Sequence, residues 1–157
     1  MPGTHLEPAS VAQRVAQELF SGAVVALGPG LPCYLPGALP DTSGVWFIAD
    51  SGALGLKGGE AHVNAVDTRE NSVSLLSGGS FTGVADVAGI LRGGHTDIAV
   101  LQPSQVATNG DFVHWTSEET AGLFAPGSAV DMAYGAATVI AVMPHQYPGG
   151  RSNIVSQ

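Results

Sequence analysis

Charge is scarce in this chain. Charged residues make up 11% of the 157, where an average domain has about 25%. Only five are Lys or Arg, and the net charge is −8. With no basic stripe, nucleic-acid binding is not expected. A phosphate-rich ligand would have to rely on backbone N–H groups, helix N-termini or a partner chain. Cysteine is nearly absent. Cys33 stands alone, which excludes an internal disulfide and a four-cysteine zinc site. The histidines His5, His62, His95, His114 and His145 contain no HExxH or HxH pair, so no metal site is expected. Long apolar runs are missing too: none approaches the ~20 residues that cross a bilayer. The opening MPGTHLEPAS has no basic segment followed by an apolar core, so no signal peptide is expected and the default is a cytoplasmic protein.

Apolar residues and glycine are plentiful. The former are 45% of the chain, and glycine is 22 of its residues, about twice the usual share. The glycines separate apolar runs without a fixed period, which implies many tight turns in one compact domain. A surface so poor in charge is expected to carry a partner interface.

Residues 1–10 read as a flexible arm leading into a domain over 11–157. Pro8, Ala9 and Ser10 open a helix with Ser10 as its N-cap, and Val11, Val15, Leu19 and Phe20 fall at helical spacing. Four apolar runs, 23–27, 45–49, 96–101 and 138–143, read as buried strands. Residues 61–66 and 72–76 are weaker strand candidates. Helices are expected over 81–91 and 128–135, and a short helix or turn over 33–39. Asn109-Gly110 marks a hairpin between 105–107 and 112–115. Residues 118–126 read as loop or short helix, and 144–157 as irregular with a turn at Pro148-Gly149-Gly150. The alternation of helices and buried strands predicts an α/β fold with a largely parallel sheet and some antiparallel additions.

The stretch VWFIADSGALGLKGG holds the leading candidate site. Asp50 appears where the apolar run Val45–Ala49 stops, followed by Ser51 and Gly52. A carboxylate there is either a turn cap or a site residue, since ligands bind at the C-terminal ends of parallel strands. Gly28-Pro29-Gly30-Leu31-Pro32 also follows a strand, and its backbone donors could hold an oxyanion or a phosphate. Its GxGxxG pattern fails at Cys33. Ser77-Gly78-Gly79-Ser80 and Arg92-Gly93-Gly94-His95 are further small-residue turns. The candidate pocket comprises Gly28, Gly30, Ser51, Gly52, Ser77, Gly78 and Gly79. Cys33 and His95 are outside candidates, each open to a purely structural role.

Four stretches in this order resemble the B (β) subunit of the class I CoA-transferases acting on 3-oxoacids and short acyl groups. They are Val11–Pro32 with its GPGLP turn, IADSGALGL over Ile48–Leu56, LLSGGSFTGVADVAGILRGGHTDIAVLQPSQV over Leu75–Val106, and Asn109–Trp115 with the strand 137–143. The likeness spans about residues 12–155 and implies a CoA-transferase-like fold. It also implies a partner A-type chain of the same fold, in a heterodimer or heterotetramer with the site between the two. No cofactor would be bound permanently, and a CoA thioester would be a substrate. In the family, a glutamate in a Ser-Glu-Asn-Gly motif attacks the thioester, forming an anhydride and then a glutamyl-CoA thioester.

Here Asp50 and Ser51 stand where that motif has Glu and Asn. The family's GMGGAMD reads Ala125-Pro126-Gly127-Ser128-Ala129-Val130-Asp131, and Pro144 stands for the glutamate before its last-strand histidine, here His145. The chain ends soon after Ile154-Val155, so the domain is expected to be short at its C-terminus. The reading is a β-type chain acting on an acyl-CoA or acyl thioester, with Asp50 as nucleophile or base. The alternatives are a repurposed relative performing hydrolysis, decarboxylation or acyl-chain rearrangement, with Asp50 as general base or electrostatic element and Cys33 or Ser51 as an outside candidate for the nucleophile, and a non-catalytic chain that completes a partner's site.

Overall fold

The computed structural model describes residues 6–58, 74–114, 127–146 and 150–156. In chain order the elements are α1 (Pro8–Ala16), β1 (Val24–Leu27), two 3-10 segments (Leu31–Ala38 and Asp41–Ser43), β2 (Trp46–Ala49), β3 (Ala53–Lys57) and β4 (Ser74–Phe81). They continue with α2 (Val84–Arg92), β5 (Thr96–Leu101), β6 (Gln105–Ala107), β7 (Phe112–Val113), α3 (Ala129–Gly135), β8 (Ala136–Ala141) and β9 (Ile154–Val155). Among the described residues, no helix is long and apolar enough to cross a membrane.

A six-stranded sheet in the order β4-β3-β2-β1-β5-β8 forms the centre. The four apolar runs became β2, β1, β5 and β8, and these neighbours pair in parallel. β3 and β4 extend the sheet antiparallel. A smaller sheet, β7-β6-β9, joins the expected hairpin to the end of the chain.

Burial on both faces explains the unbroken apolar runs. Val25 and Leu27 of β1, Phe47 and Ala49 of β2, and Ile98 and Val100 of β5 point to one face. There they meet Ala12 and Val15 of α1 and Leu35 of the 3-10 segment. The alternating residues Ala26, Ile48, Ala99 and Leu101 point to the other face, against Val87 and Leu91 of α2 and Ala129 and Met132 of α3. A one-residue slip in any strand would exchange its two sets, so the register is tightly specified.

Several expectations need correction. Glu7, not Ser10, is the N-cap of α1, because Pro8 already occupies the first helical turn. The helix stops at Ala16, leaving Leu19 and Phe20 outside it. β3 was not anticipated: its residues look like a glycine-bearing turn, yet they return antiparallel along β2. Residues 77–80 are not a turn after a strand but the interior of β4. The pairs Leu54–Ser80 and Leu56–Leu75 leave residues 76–79 facing Gly55 alone, so the small residues form a bulge. The last parallel strand, β8, is only half-buried, because it lies at the sheet edge and its α1 side opens into a groove of about 760 Å³. The C-terminal segment is not wholly irregular: it contains β9, which pairs with β6. The candidates at 61–66 and 118–126, the residues 72–73, and Trp115, Pro148 and Gly149 lie outside the described residues.

Candidate active site

The parallel strands end together at one edge. Leu27 pairs with Ala49 and with Val100. One residue further on, Gly28, Asp50 and Leu101 therefore stand side by side. The Gly28 N–H still donates to the Val100 carbonyl at 2.9 Å, and Asp50 is half-buried.

The turn after β2 is tight. Gly52 N–H donates to the Ala49 carbonyl at 3.0 Å, which leaves Ser51 exposed and Gly52 buried. Gly52 adopts φ +98°, and a Cβ there would collide with the Thr82 carbonyl oxygen. Thr82 N–H in turn donates to the Gly52 carbonyl at 2.9 Å. Thr82 immediately precedes Gly83, the N-cap of α2, so the start of α2 closes over the turn that carries Asp50.

α3 approaches from the same face. Ser128 Oγ donates to Asp50 Oδ2 at 2.5 Å. Ser128 is the N-cap of α3, yet its hydroxyl makes no cap hydrogen bond to the helix. The helix is fixed by fully buried Met132 and by a two-pronged ion pair. Arg92 Nε and Nη2 donate to Asp131 Oδ1 and Oδ2 at 3.0 and 3.1 Å. These hydrogen bonds, and then the charge of Asp131, push the Arg92 pKa above its ordinary value.

The turn after β1 is tied to β5. Gln102 Oε1 accepts the Leu31 N–H at 2.6 Å. Gly30 has φ +96°, and a Cβ on it would collide with Gln102 Oε1. Cys33 N–H donates to the Gly30 carbonyl at 3.1 Å, while its half-buried thiol donates to the Gly28 carbonyl at 3.7 Å.

The structure thus brings Gly28, Gly30, Cys33, Asp50, Ser51 and Gly52 to one edge. Ser77, Gly78 and Gly79 are carried elsewhere. They form the bulge of β4, two strands away from β2, where Gly78 lies against the Trp46 ring with a Cβ position 3.8 Å from it. His95 is exposed and precedes β5, so it occupies the opposite edge of the sheet, roughly 20 Å away at ~3.3 Å per strand residue. That edge is structural: Asp97 Oδ2 accepts the Val24 N–H at 2.8 Å and holds the start of β1. Sequence patterns did not point to Ser128, Gln102 or Thr82. For Ser128 a signal existed, since it replaces a glycine of the GMGGAMD pattern. Among the described residues, no three His, Cys, Asp or Glu side chains form a metal-binding group.

No family model matches the chain. It is 36% identical over 156 residues to the B-type chain of the 3-oxoadipate CoA-transferase of Pseudomonas putida, covering 97% of this chain and 73% of that protein. It is 30% identical to the B-type chain of the succinyl-CoA:3-ketoacid coenzyme A transferase of Helicobacter pylori, covering 92% and 71%. The crystal structure of glutaconate coenzyme A-transferase from Acidaminococcus fermentans superposes with TM-score 0.67 at 17% identity, over 98% of this chain and 62% of that one. The decarboxylase AibA/AibB superposes with TM-score 0.60 at 18% identity, over 90% and 61%. The fold is that of the CoA-transferases. By sequence, the chain belongs to the family of CoA-transferase B (β) subunits.

Proposed function

We propose that the chain is the B-type half of a heteromer that acts on an acyl-CoA or acyl thioester, with Asp50 as its carboxylate nucleophile. The observation that carries this reading is the setting of Asp50. It is half-buried at the C-terminal end of a central parallel strand, between the Gly28–Leu31 turn and the Ser128 hydroxyl. Covalent carboxylate catalysis needs such a group, exposed on one side and fixed on the other.

In the proposed reaction, one Asp50 oxygen attacks the thioester carbonyl and CoA leaves as its thiolate. The thiolate then attacks the Asp50 carbonyl carbon of the mixed anhydride, and the donor acid departs. The resulting aspartyl-CoA passes CoA to an acceptor acid by the reverse sequence. CoA enters only as part of the substrates, and nothing in the scheme calls for a bound cofactor. The partner is an A-type chain of the same fold. The names of the relatives suggest succinyl-CoA as donor and a 3-oxoacid such as 3-oxoadipate as acceptor.

Co-expression with an A-type partner, incubation with succinyl-CoA and peptide mass spectrometry after hydroxylamine capture test the reading. The Asp50 peptide is expected as its hydroxamate, and Asp50→Ala is expected to abolish turnover. Turnover with an unmodified Asp50 peptide but an inactive Asp50→Ala variant would make Asp50 a base in hydrolysis or decarboxylation. That outcome has one observation in its favour, the shorter reach of aspartate compared with the family's glutamate. Full activity of Asp50→Ala would leave the chain a structural component of the heteromer.

A further inference from the structure

Ser128 has given up its expected local role. A serine at an N-cap normally accepts an N–H from the first turn of its own helix, which stabilises the helix relative to Ala. Here the hydroxyl makes no such bond and donates instead to Asp50 Oδ2, across 78 residues of chain. The helix that carries it is anchored independently, by Met132 and by the Arg92–Asp131 pair. The donor is therefore held in place before any substrate arrives.

We propose that Ser128 is a catalytic residue, the donor to the oxyanion that forms on Asp50 itself. The proposal rests on Asp50 being the nucleophile. With Oδ2 held by Ser128, the attack on the thioester carbonyl falls to Oδ1. The thioester C–S bond breaks, CoA leaves as thiolate, and Oδ1 becomes the bridging oxygen of the anhydride. Oδ2 is now the carbonyl oxygen of the aspartyl group, still facing the hydroxyl. When the thiolate attacks the Asp50 carbonyl carbon, the electron pair moves onto Oδ2 and Ser128 donates to it. The carbon–Oδ1 bond then breaks, the donor acid leaves as carboxylate, and aspartyl-CoA remains. The acceptor carboxylate repeats the same step in reverse order. Ser128 thus serves the reactions at the Asp50 carbonyl carbon and not the attack on the substrate's own carbonyl. Because the hydroxyl also stabilises the free carboxylate, it gives no help to the first attack.

Rapid-quench mass spectrometry of the co-expressed complex with succinyl-CoA separates the two steps. The acyl adduct and the CoA adduct of the Asp50 peptide differ in mass. In Ser128→Ala the acyl adduct is expected to form at least as fast as in the unmodified protein. Its conversion to the CoA adduct should slow by about 10²–10³-fold, the usual cost of losing one oxyanion donor. Ser128→Thr, which keeps the hydroxyl, should restore the second step. Equal slowing of both steps in Ser128→Ala, or failure of Thr to restore the second, would overturn the proposal in favour of a packing role. If the unmodified protein turns over with no adduct on Asp50 at all, the nucleophile assignment itself fails, and the proposal fails with it.

Discussion

Gln102 Oε1 accepts the Leu31 N–H at 2.6 Å, tying the turn after β1 to the end of β5. The two residues lie 71 positions apart, and their bond fixes the wall of the site opposite Asp50's own turn. Gln102→Ala would leave a part-buried N–H without its acceptor. The expected cost is about 1–3 kcal/mol of stability, read as a lower urea midpoint. Gln102→Glu keeps an acceptor in place and should lose less. Gly30→Ala attacks the same contact from the other side. The new Cβ would meet Gln102 Oε1 at a φ of +96° that L side chains rarely adopt, so the turn must shift. Both Gly30→Ala and Gln102→Ala should lower turnover by more than the folded fraction accounts for.

At the opposite sheet edge, Asp97 should matter for stability alone. Its Oδ2 accepts the Val24 N–H at 2.8 Å, part-buried. Asp97→Ala is expected to cost about 1.5–3 kcal/mol, the range for a hydrogen bond to a charged group. Asp97→Asn, which retains a carbonyl acceptor, should cost less. In both variants the folded protein should carry the normal share of Asp50 adduct. A selective loss of adduct with an unchanged urea midpoint would contradict the structural assignment.

The contrast between Asp97 and Asp50 shows what the sequence made legible. Three of the parallel strands, β1, β2 and β5, could be read directly, because burial on both faces demands unbroken apolar runs, while the edge strand β8 is apolar without being buried. Asp50 could be read because it ends one of those runs. The RGGHTD stretch over Arg92–Asp97 is a recognisable part of the Leu75–Val106 likeness, yet it builds the far edge of the sheet and the Arg92–Asp131 clamp. Recognisability followed structural demand there. Pattern could not distinguish a glycine-rich turn from a bulged strand at Ser77-Gly78-Gly79, since both need small residues and only the partner strand decides. The contacts of Ser128 with Asp50 and of Gln102 with Leu31 were hidden for a different reason: each joins residues more than 70 positions apart, and although Ser128 stands out as a replaced glycine, no local signal encodes what it meets.

Gly135 tests whether the site depends on how α3 lies on α2. A Cβ on it would run into the Leu91 carbonyl oxygen and come within 2.8 Å of the Leu91 carbonyl carbon. Both groups are backbone, so the last turn of α3 must move. Gly135→Ala is expected to cost about 1–3 kcal/mol, as overpacking does. It should also weaken the Ser128–Asp50 contact from the other end of the helix. Asp131→Asn should act in the same direction more mildly, and its effect should shrink in high salt because Arg92 is exposed. The check is the thermal midpoint of each variant, together with its rate of aspartyl-CoA formation.

Asp50→Glu would install the glutamate of the family motif, but in this chain it should reduce activity. Ser128 Oγ is already 2.5 Å from Asp50 Oδ2, so one more methylene has no room along the same direction. The longer side chain must rotate off its line of attack, and a misplacement of about 1 Å is enough to cost about 10²-fold. Ser128→Gly removes the obstruction and costs the helix only a few tenths of a kcal/mol at its N-cap. Because Ser128→Gly also removes the oxyanion donor, it is expected to cost less activity in the Asp50→Glu background than in the unmodified protein, a coupling of about 0.5–3 kcal/mol between contacting residues. Four kcat/KM values, measured with succinyl-CoA and 3-oxoadipate, close the cycle. Simple additivity would mean that Ser128 does not limit the reach of the carboxylate.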